Sequence, residues 1–162
     1  MKFGLTGDTH NNLNNIMSIC SIFNQEDVDF VIHTGDITLP KSLEKFSKLK
    51  MPLFGVFGNN DQGDKEALKI VCEKYSFSFE DHIAKINSSD KKILVVHDPL
   101  DIKEEHYDEA DIIVHGHTHR YRNDFLKGTF IFNPGECAGF MKGKNNLGIV
   151  SLDNPSLKII NF

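Results

Sequence analysis

Lys2-Phe3-Gly4-Leu5-Thr6-Gly7-Asp8-Thr9-His10 decides how this chain is read: a short β-prone run, then a glycine, then an aspartate and a histidine two positions apart. A run this short and this apolar is compatible with a buried strand. The same punctuation recurs further along. Phe30 to Thr34 leads into Gly35-Asp36, Leu53 to Phe57 into Gly58-Asn59-Asn60-Asp61, Ile93 to Val96 into His97, and Ile112 to Val114 into Gly116-His117-Thr118-His119.

Helical spacing fills the gaps in the first half. Leu13, Ile16, Met17, Cys20 and Phe23 recur at i, i+3, i+4, i+7 and i+10, with Asn11 or Asn12 available as N-cap and with Met17 and Cys20 expected in the core. Ser42 to Leu49 is a further helix candidate, its lysines on a solvated face. Asp64 can cap a helix to Tyr75 whose stripe is Leu68, Val71, Cys72 and Tyr75. This half reads βαβαβα, which favours parallel strands covered by helices.

The second half differs. Phe125 to Asn133, Leu147 to Leu152 and Leu157 to Ile160 look like strands joined at turns marked by Gly128 and Asn154-Pro155, which predicts a second, more antiparallel sheet. The expected fold class is α/β, two packed sheets with helices outside, in one domain spanning residues 1–162. A chain of that length should bury about 70% of its unfolded surface.

Ligands in open α/β sheets gather beyond the carboxyl ends of the strands, so residues scattered along the chain can meet on one rim. Asp8 and His10, and likewise His117 and His119, can each chelate if the chain leaves its strand extended, since residues two apart then point the same way. Glycines before Asp8, Asp36, Asn59 and His117 permit tight turns. Asp8, His10, Asp36, Asn59, His97, His117 and His119 offer oxygen and nitrogen donors and no thiolate, which suits Mn²⁺, Fe, Ni²⁺ or Zn²⁺. Such a set exceeds what one ion takes from protein, whereas two ions sharing a carboxylate would use it all. Ions roughly 3.5–4 Å apart activate a water and stabilise both oxygens of an in-line displacement, as phosphate ester hydrolysis requires.

Other classes fit less well. The net charge of −5 argues against gripping nucleic acid by bulk charge. Cys20, Cys72 and Cys137 are odd in number and widely spaced, so neither a disulfide framework nor a zinc-cysteine cluster is indicated, and a reducing cytoplasm is expected. No apolar run approaches the roughly 20 residues that span a bilayer. The metallo-β-lactamase pattern is absent, and an amidohydrolase barrel needs about 250 residues.

Together, Asp-x-His, Gly-Asp, Gly-Asn-Asn-Asp, a lone His after a strand and Gly-His-Thr-His resemble the calcineurin-like metallophosphoesterases. The short chain and the Asn133-Pro134-Gly135-Glu136 segment look most like the small bacterial and archaeal phosphodiesterases of that superfamily. The resemblance spans nearly all of residues 1–139. It implies a four-layer α/β/β/α sandwich of two packed mixed sheets. One metal would be held by Asp8, His10, Asp36 and His119, and the other by Asp36, Asn59, His97 and His117, with Asp36 bridging. It further implies Mn²⁺ or a similar ion (Ni²⁺, Fe²⁺ or Zn²⁺), a metal-bridging hydroxide as nucleophile, and a small phosphodiester as substrate, which could be a nucleotide. Phosphomonoesters, DNA cleavage as in repair nucleases, and scaffolding as in a retromer subunit of this fold are the alternatives. All the ligand types are intact here, which speaks against a pure scaffold.

The chain departs from larger relatives at Asn60, where they carry a His that binds phosphate. An amide cannot be a general acid, but it can donate a hydrogen bond to a phosphoryl oxygen, so Asn60 joins Asp36 as a candidate catalytic residue. Asp98-Pro99 replaces a usual Gly and adds negative charge at the rim. His33 and His115 are expected to be structural, and His82 and His106 to lie on the surface. Asp61 is expected to brace its turn through backbone hydrogen bonds. Glu136 and Cys137 could approach the metal edge, although a structural turn suits them as well. Phe140-Met141, followed by Lys142 and Lys144, could form a substrate lip or a contact in a homo-oligomer.

Overall fold

The computed structural model describes residues 1–162. The strand after Met1 is β1 (Lys2–Thr6), followed by helix α1 (Leu13–Glu26), β2 (Phe30–His33), α2 (Pro40–Lys45), β3 (Leu53–Val56) and α3 (Lys65–Tyr75). Asn12 caps α1, its side-chain oxygen accepting from Asn15 N. The helix buries Ile16, Ile19, Cys20 and Phe23. Met17 lies off that face and is exposed, against the expectation that it packs inside, because the buried arc runs through Ile19 rather than through the Leu13–Met17 side. The lysines of the α2 region face solvent as expected.

Strands β4 (Ser78–Glu80) and β5 (Ile83–Ser88) carry too many polar residues to stand out in the sequence. They precede β6 (Lys91–Val96), helix α4 (Glu104–Glu109) and β7 (Ile112–Val114). The stretch Phe125 to Asn133 is not one strand. It breaks at Lys127-Gly128, both with positive φ, into a hairpin of β8 (Arg122–Leu126) and β9 (Thr129–Asn133). β10 (Asn146–Ser151) and β11 (Ser156–Asn161) complete the chain.

Two mixed sheets result, in the orders β11-β10-β1-β2-β3-β4 and β5-β6-β7-β9-β8. In the first, β1 to β4 run parallel while β10 and β11 extend the β1 edge antiparallel. The expected separate antiparallel sheet is therefore divided: the last two strands join the first sheet, and the hairpin joins β6 and β7 in the second. In that sheet β6, β7 and β9 are parallel and both edges are antiparallel.

Alternation along each strand assigns residues to layers. Phe3, Leu5, Phe30, Ile32 and Val56 point from the first sheet into the gap, where they meet Ile93, Val95, Ile112, Val114 and Phe132 of the second. Val31 and Leu53 point the other way and pack with Ile16, Phe23, Leu43, Phe46 and Leu68 under α1 to α3. A smaller cluster of Leu94, Val96, Ile113 and Ile131 lies on the outer face of the second sheet beside Tyr107 of α4. The architecture is thus the expected four-layer α/β/β/α sandwich, with a thin outer layer on one side. No helix is long and apolar enough to cross a membrane.

Candidate metal centre

The five strand ends picked out by the sequence open at one edge of the sandwich, but they come from both sheets. Asp8, Asp36 and Asn59 follow β1, β2 and β3, whereas His97 and His117 follow β6 and β7. Backbone hydrogen bonds stitch the loops together: Asp8 N donates to Gly35 O at 2.8 Å, His10 N to Asp36 O at 2.9 Å, and Gly116 N to His97 O at 3.0 Å.

The backbone here is not extended. Asp8, His10, Asp36, His117 and His119 all have φ between 46° and 65°, in the left-handed region that non-glycine residues rarely enter. The i, i+2 pairs are therefore brought together by alternating turns rather than by strand geometry, which corrects the reason for which they were expected to chelate. Strain of this kind costs of order 1–3 kcal/mol per residue and gathers at functional sites. Close approach accounts for the glycines before Asp8, Asp36, Asn59 and His117, two of which abut the carboxylates. A Cβ at Gly58 would lie 2.2 Å from Asp36 Oδ1, and one at Gly116 would lie 2.6 Å from Asp8 Oδ2.

Asp61 braces this arrangement more widely than its own turn. Its carboxylate accepts from Asp36 N (2.9 Å), Ile37 N (2.8 Å), Thr38 N (2.7 Å) and Gly58 N (2.7 Å), tying the loop after β2 to the loop after β3. Asn133 does similar work at the end of β9, donating to Gly116 O and Thr118 Oγ1 and accepting from Gly135 N. His33, fully buried, accepts from Gly35 N and bonds Thr9 Oγ1; burial holds its pKa down near 3, so it is neutral. His115 is likewise buried and lowered to about 4 by burial, and its Nδ1 donates to Gly116 O. His82 is exposed as expected, whereas His106 is buried because its Nδ1 turns back to accept from Lys103 N at the start of α4.

Donor atoms of the candidate ligands crowd together at the rim. His97 Nδ1 must donate to the Thr34 carbonyl at 2.8 Å, which leaves its Nε2 as a lone pair in the neutral ring. That Nε2 meets Asn59 Oδ1 at 2.9 Å, His117 Nδ1 at 3.2 Å and Asp36 Oδ1 at 3.4 Å. The other Asp36 oxygen lies 3.9 Å from His10 Nε2, which is buried and has no hydrogen-bond partner. His119 Nε2 lies 3.8 Å from Asp8 Oδ1. Separations of 3.4–3.9 Å exceed hydrogen-bonding length and match ligand atoms arrayed around an ion roughly 2.0–2.2 Å from each.

Two clusters have ligand atoms all within 4.8 Å: Asp8, His10 and His119, and Asp8, Asp36 and His97. They share Asp8, and Asp36 presents one oxygen to each side. Burial and the neighbouring Asp36 push the Asp8 carboxyl well above the usual carboxylate range. Leaving such a carboxylate ionised beside two others is expensive without a cation. An orphaned buried imidazole nitrogen, opposed lone pairs and an all-oxygen-and-nitrogen donor set fit divalent ions of the Mn²⁺, Fe²⁺, Ni²⁺ and Zn²⁺ type. Cys137 is excluded from the set: its Sγ bonds Asn146 O and Thr6 Oγ1, and burial pushes its thiol up to about 12.

Asn60 sits at the exposed rim with its side-chain amide donating to Asp36 Oδ2 at 2.7 Å and its backbone N–H to Oδ1 at 2.9 Å. Asp98 Oδ2 lies 3.6 Å from His117 Nε2, so its charge faces the site as the sequence suggested. Phe140 lays its ring against His10 and His119, at centroid distances of 5.2 and 5.5 Å. Of the two readings the sequence left open for Glu136, an approach to the metal edge or a structural turn, the structure favours the first, since its carboxylate contacts His119 Nδ1. It lies just beyond the end of β9, as the other site residues lie beyond their strands.

Comparison with known proteins identifies the family and the fold. A phosphodiesterase of the archaeon Methanocaldococcus jannaschii, MJ0936, is 31% identical over 99% of this chain and 98% of its own. The solved structure of an archaeal phosphodiesterase superposes over the whole of both chains with a TM-score of 0.91 at 29% identity. The Escherichia coli phosphoesterase YfcE, at 19% identity and a TM-score of 0.73 over 99% of this chain and 98% of its own, has the same fold. The model of the calcineurin-like phosphoesterase superfamily domain matches residues 1–155, and the chain belongs to that superfamily of phosphoric-ester hydrolases.

Proposed function

We propose that this protein is a metal-dependent phosphodiesterase acting on a small phosphodiester, such as a nucleotide, at a dinuclear centre. The observation that carries the reading is the convergence of oxygen and nitrogen donors on two clusters, with Asp36 turning one oxygen towards His10 and the other towards His97. Asp8, His10, Asp36 and His119 would hold one ion, and Asp36, Asn59, His97 and His117 the other, Mn²⁺ being the preferred metal. When bound, such ions supply Lewis-acid stabilisation of the phosphoryl oxygens and lower the pKa of a water that attacks phosphorus. The chain's own residues fix the geometry: Thr34 O sets the His97 tautomer, and Asp61 holds the Asp36 loop. Asn60 spends one amide hydrogen on Asp36 and keeps the second for a phosphoryl oxygen.

A diester is favoured over a monoester for two reasons. The relative at 31% identity is a phosphodiesterase, and Asp98 adds negative charge beside His117 that a doubly charged monoester would meet. The net charge of −5 supports a small substrate rather than a gripped polynucleotide. The three cysteines are all unpaired, which supports action in a reducing cytoplasm. The test is hydrolysis of bis-p-nitrophenyl phosphate and p-nitrophenyl phosphate by metal-stripped protein, with Mn²⁺, Ni²⁺, Zn²⁺ or Mg²⁺ restored and Asp36→Asn as control. Faster diester cleavage that needs both metal and Asp36 is the expected result. Stoichiometric metal binding with neither ester cleaved would favour a binding role instead.

A further inference from the structure

We infer that Glu136 is a positioning residue that orients His119 for metal binding, an inference that rests on the dinuclear reading above. Glu136 is 2% exposed, and one carboxylate oxygen contacts His119 Nδ1 while the other accepts from Phe140 N at 2.9 Å. No lysine or arginine pairs with this buried carboxylate, so its local role is with the imidazole and the turn that carries Phe140. Accepting the Nδ1 proton leaves the His119 Nε2 lone pair free, and that atom faces Asp8. Carboxylates that accept from the non-ligating nitrogen of a metal-bound histidine fix its tautomer and raise its basicity.

The backbone of Glu136 is pinned on several sides, so the carboxylate is held in place before any ion arrives. Asn146 N donates to Glu136 O at 2.6 Å. Asn15 and Asn12, at the start of α1, donate to the carbonyls of Cys137 and Ala138, each at 2.9 Å. The same carboxylate fixes the turn that rests Phe140 on His10 and His119. Without an ion, however, Glu136 adds negative charge near Asp8. A residue kept for packing would stabilise the metal-free chain, whereas one kept for the metal centre would not.

The experiment is a calorimetric Mn²⁺ titration of metal-stripped wild type, Glu136→Gln, Glu136→Ala, His119→Ala and the Glu136→Ala/His119→Ala double variant, with melting curves of each with and without Mn²⁺. Glu136→Ala should weaken Mn²⁺ binding about 10–100-fold, and Glu136→Gln, which keeps a neutral acceptor, by less. In the His119→Ala background the Glu136 change should cost almost nothing more, because it acts through that ring. The metal-free melting temperature of Glu136→Gln should equal or exceed that of wild type, while its rise on adding Mn²⁺ shrinks. Equal loss in both backgrounds, or wild-type affinity in Glu136→Ala, overturns the inference. If Glu136→Ala does not fold, unchanged affinity in Glu136→Gln overturns it equally. If wild type binds two ions and only these predictions fail, the phosphodiesterase reading stands; if wild type binds none, both fall.

Discussion

Strand β1 carries two kinds of structure within a few residues. Phe3 and Leu5 are fully buried in regular backbone, paired parallel with β2 and antiparallel with β10, and meet apolar neighbours across the gap between the sheets. Asp8 and His10, just beyond, have left-handed backbone, a carboxyl displaced by burial and an imidazole nitrogen with no partner. This part of the interior is regular and apolar, and the rim breaks several rules of stable folding at once. Such violations persist where function needs them and the surrounding fold supports them. Stability should therefore be lost by changing the interior, and activity by changing the rim.

The largest separation of the two should come from Asp36→Asn. It should lower metal-dependent diester hydrolysis about a thousandfold, the equivalent of several kcal/mol of transition-state stabilisation. Its metal-free melting temperature should not fall, because one of a group of buried like charges is gone. Phe3→Ala should do the reverse. Phe3 is fully buried and stacks on Phe30 at 5.3 Å, and its loss should cost about 3–5 kcal/mol in denaturant unfolding while kcat of the folded fraction holds. A large fall in kcat for Phe3→Ala at low temperature would break the division.

Gly58→Ala sharpens the same contrast at the boundary. A Cβ there would press on Asp36 Oδ1 at 2.2 Å and on Asp36 N at 2.5 Å, so the carboxylate must shift. Misplacement on that scale should cost about a hundredfold in kcat/KM, with a smaller effect on stability. His33 lies between the two regions and offers a pH test. The folded pKa is held near 3 by burial and the unfolded value is 6.5, so the unfolded chain binds the extra proton between them. Stability of the metal-stripped protein should fall as pH drops from 6.5 towards 3, by up to about 1.4 kcal/mol per unit from this residue. His33→Gln should flatten that limb in urea titrations; an unchanged slope would mean that His33 is not neutral in the fold.

What the sequence disclosed follows the same division. Interior strands with strong β-formers, such as Phe30–His33 and Ile112–Val114, were evident because apolar runs punctuated by glycine leave few alternatives. The polar edge strands Ser78–Glu80 and Ile83–Ser88 were not, since their pairing is set by neighbours distant in sequence. The division of the last strands between sheets was hidden for the same reason: β10 pairs with β1 across almost the whole chain. At the site, residue types and their place after strands were enough to nominate Asp8, His10, Asp36, Asn59, His97, His117 and His119. The left-handed backbone that aims them, the reach of Asp61 into the Asp36 loop and the contact of Glu136 with His119 depend on tertiary placement, which no local spacing encodes.

The central claim is that the rim holds two ions linked through Asp36. Equilibrium dialysis of metal-stripped wild type and Asp36→Asn against Mn²⁺, with bound metal measured by atomic emission, tests it without reference to any substrate. The account predicts about two ions per wild-type chain and a clear loss of one or both in the variant. Binding of a single ion by wild type, or two ions bound equally well by Asp36→Asn, would contradict it.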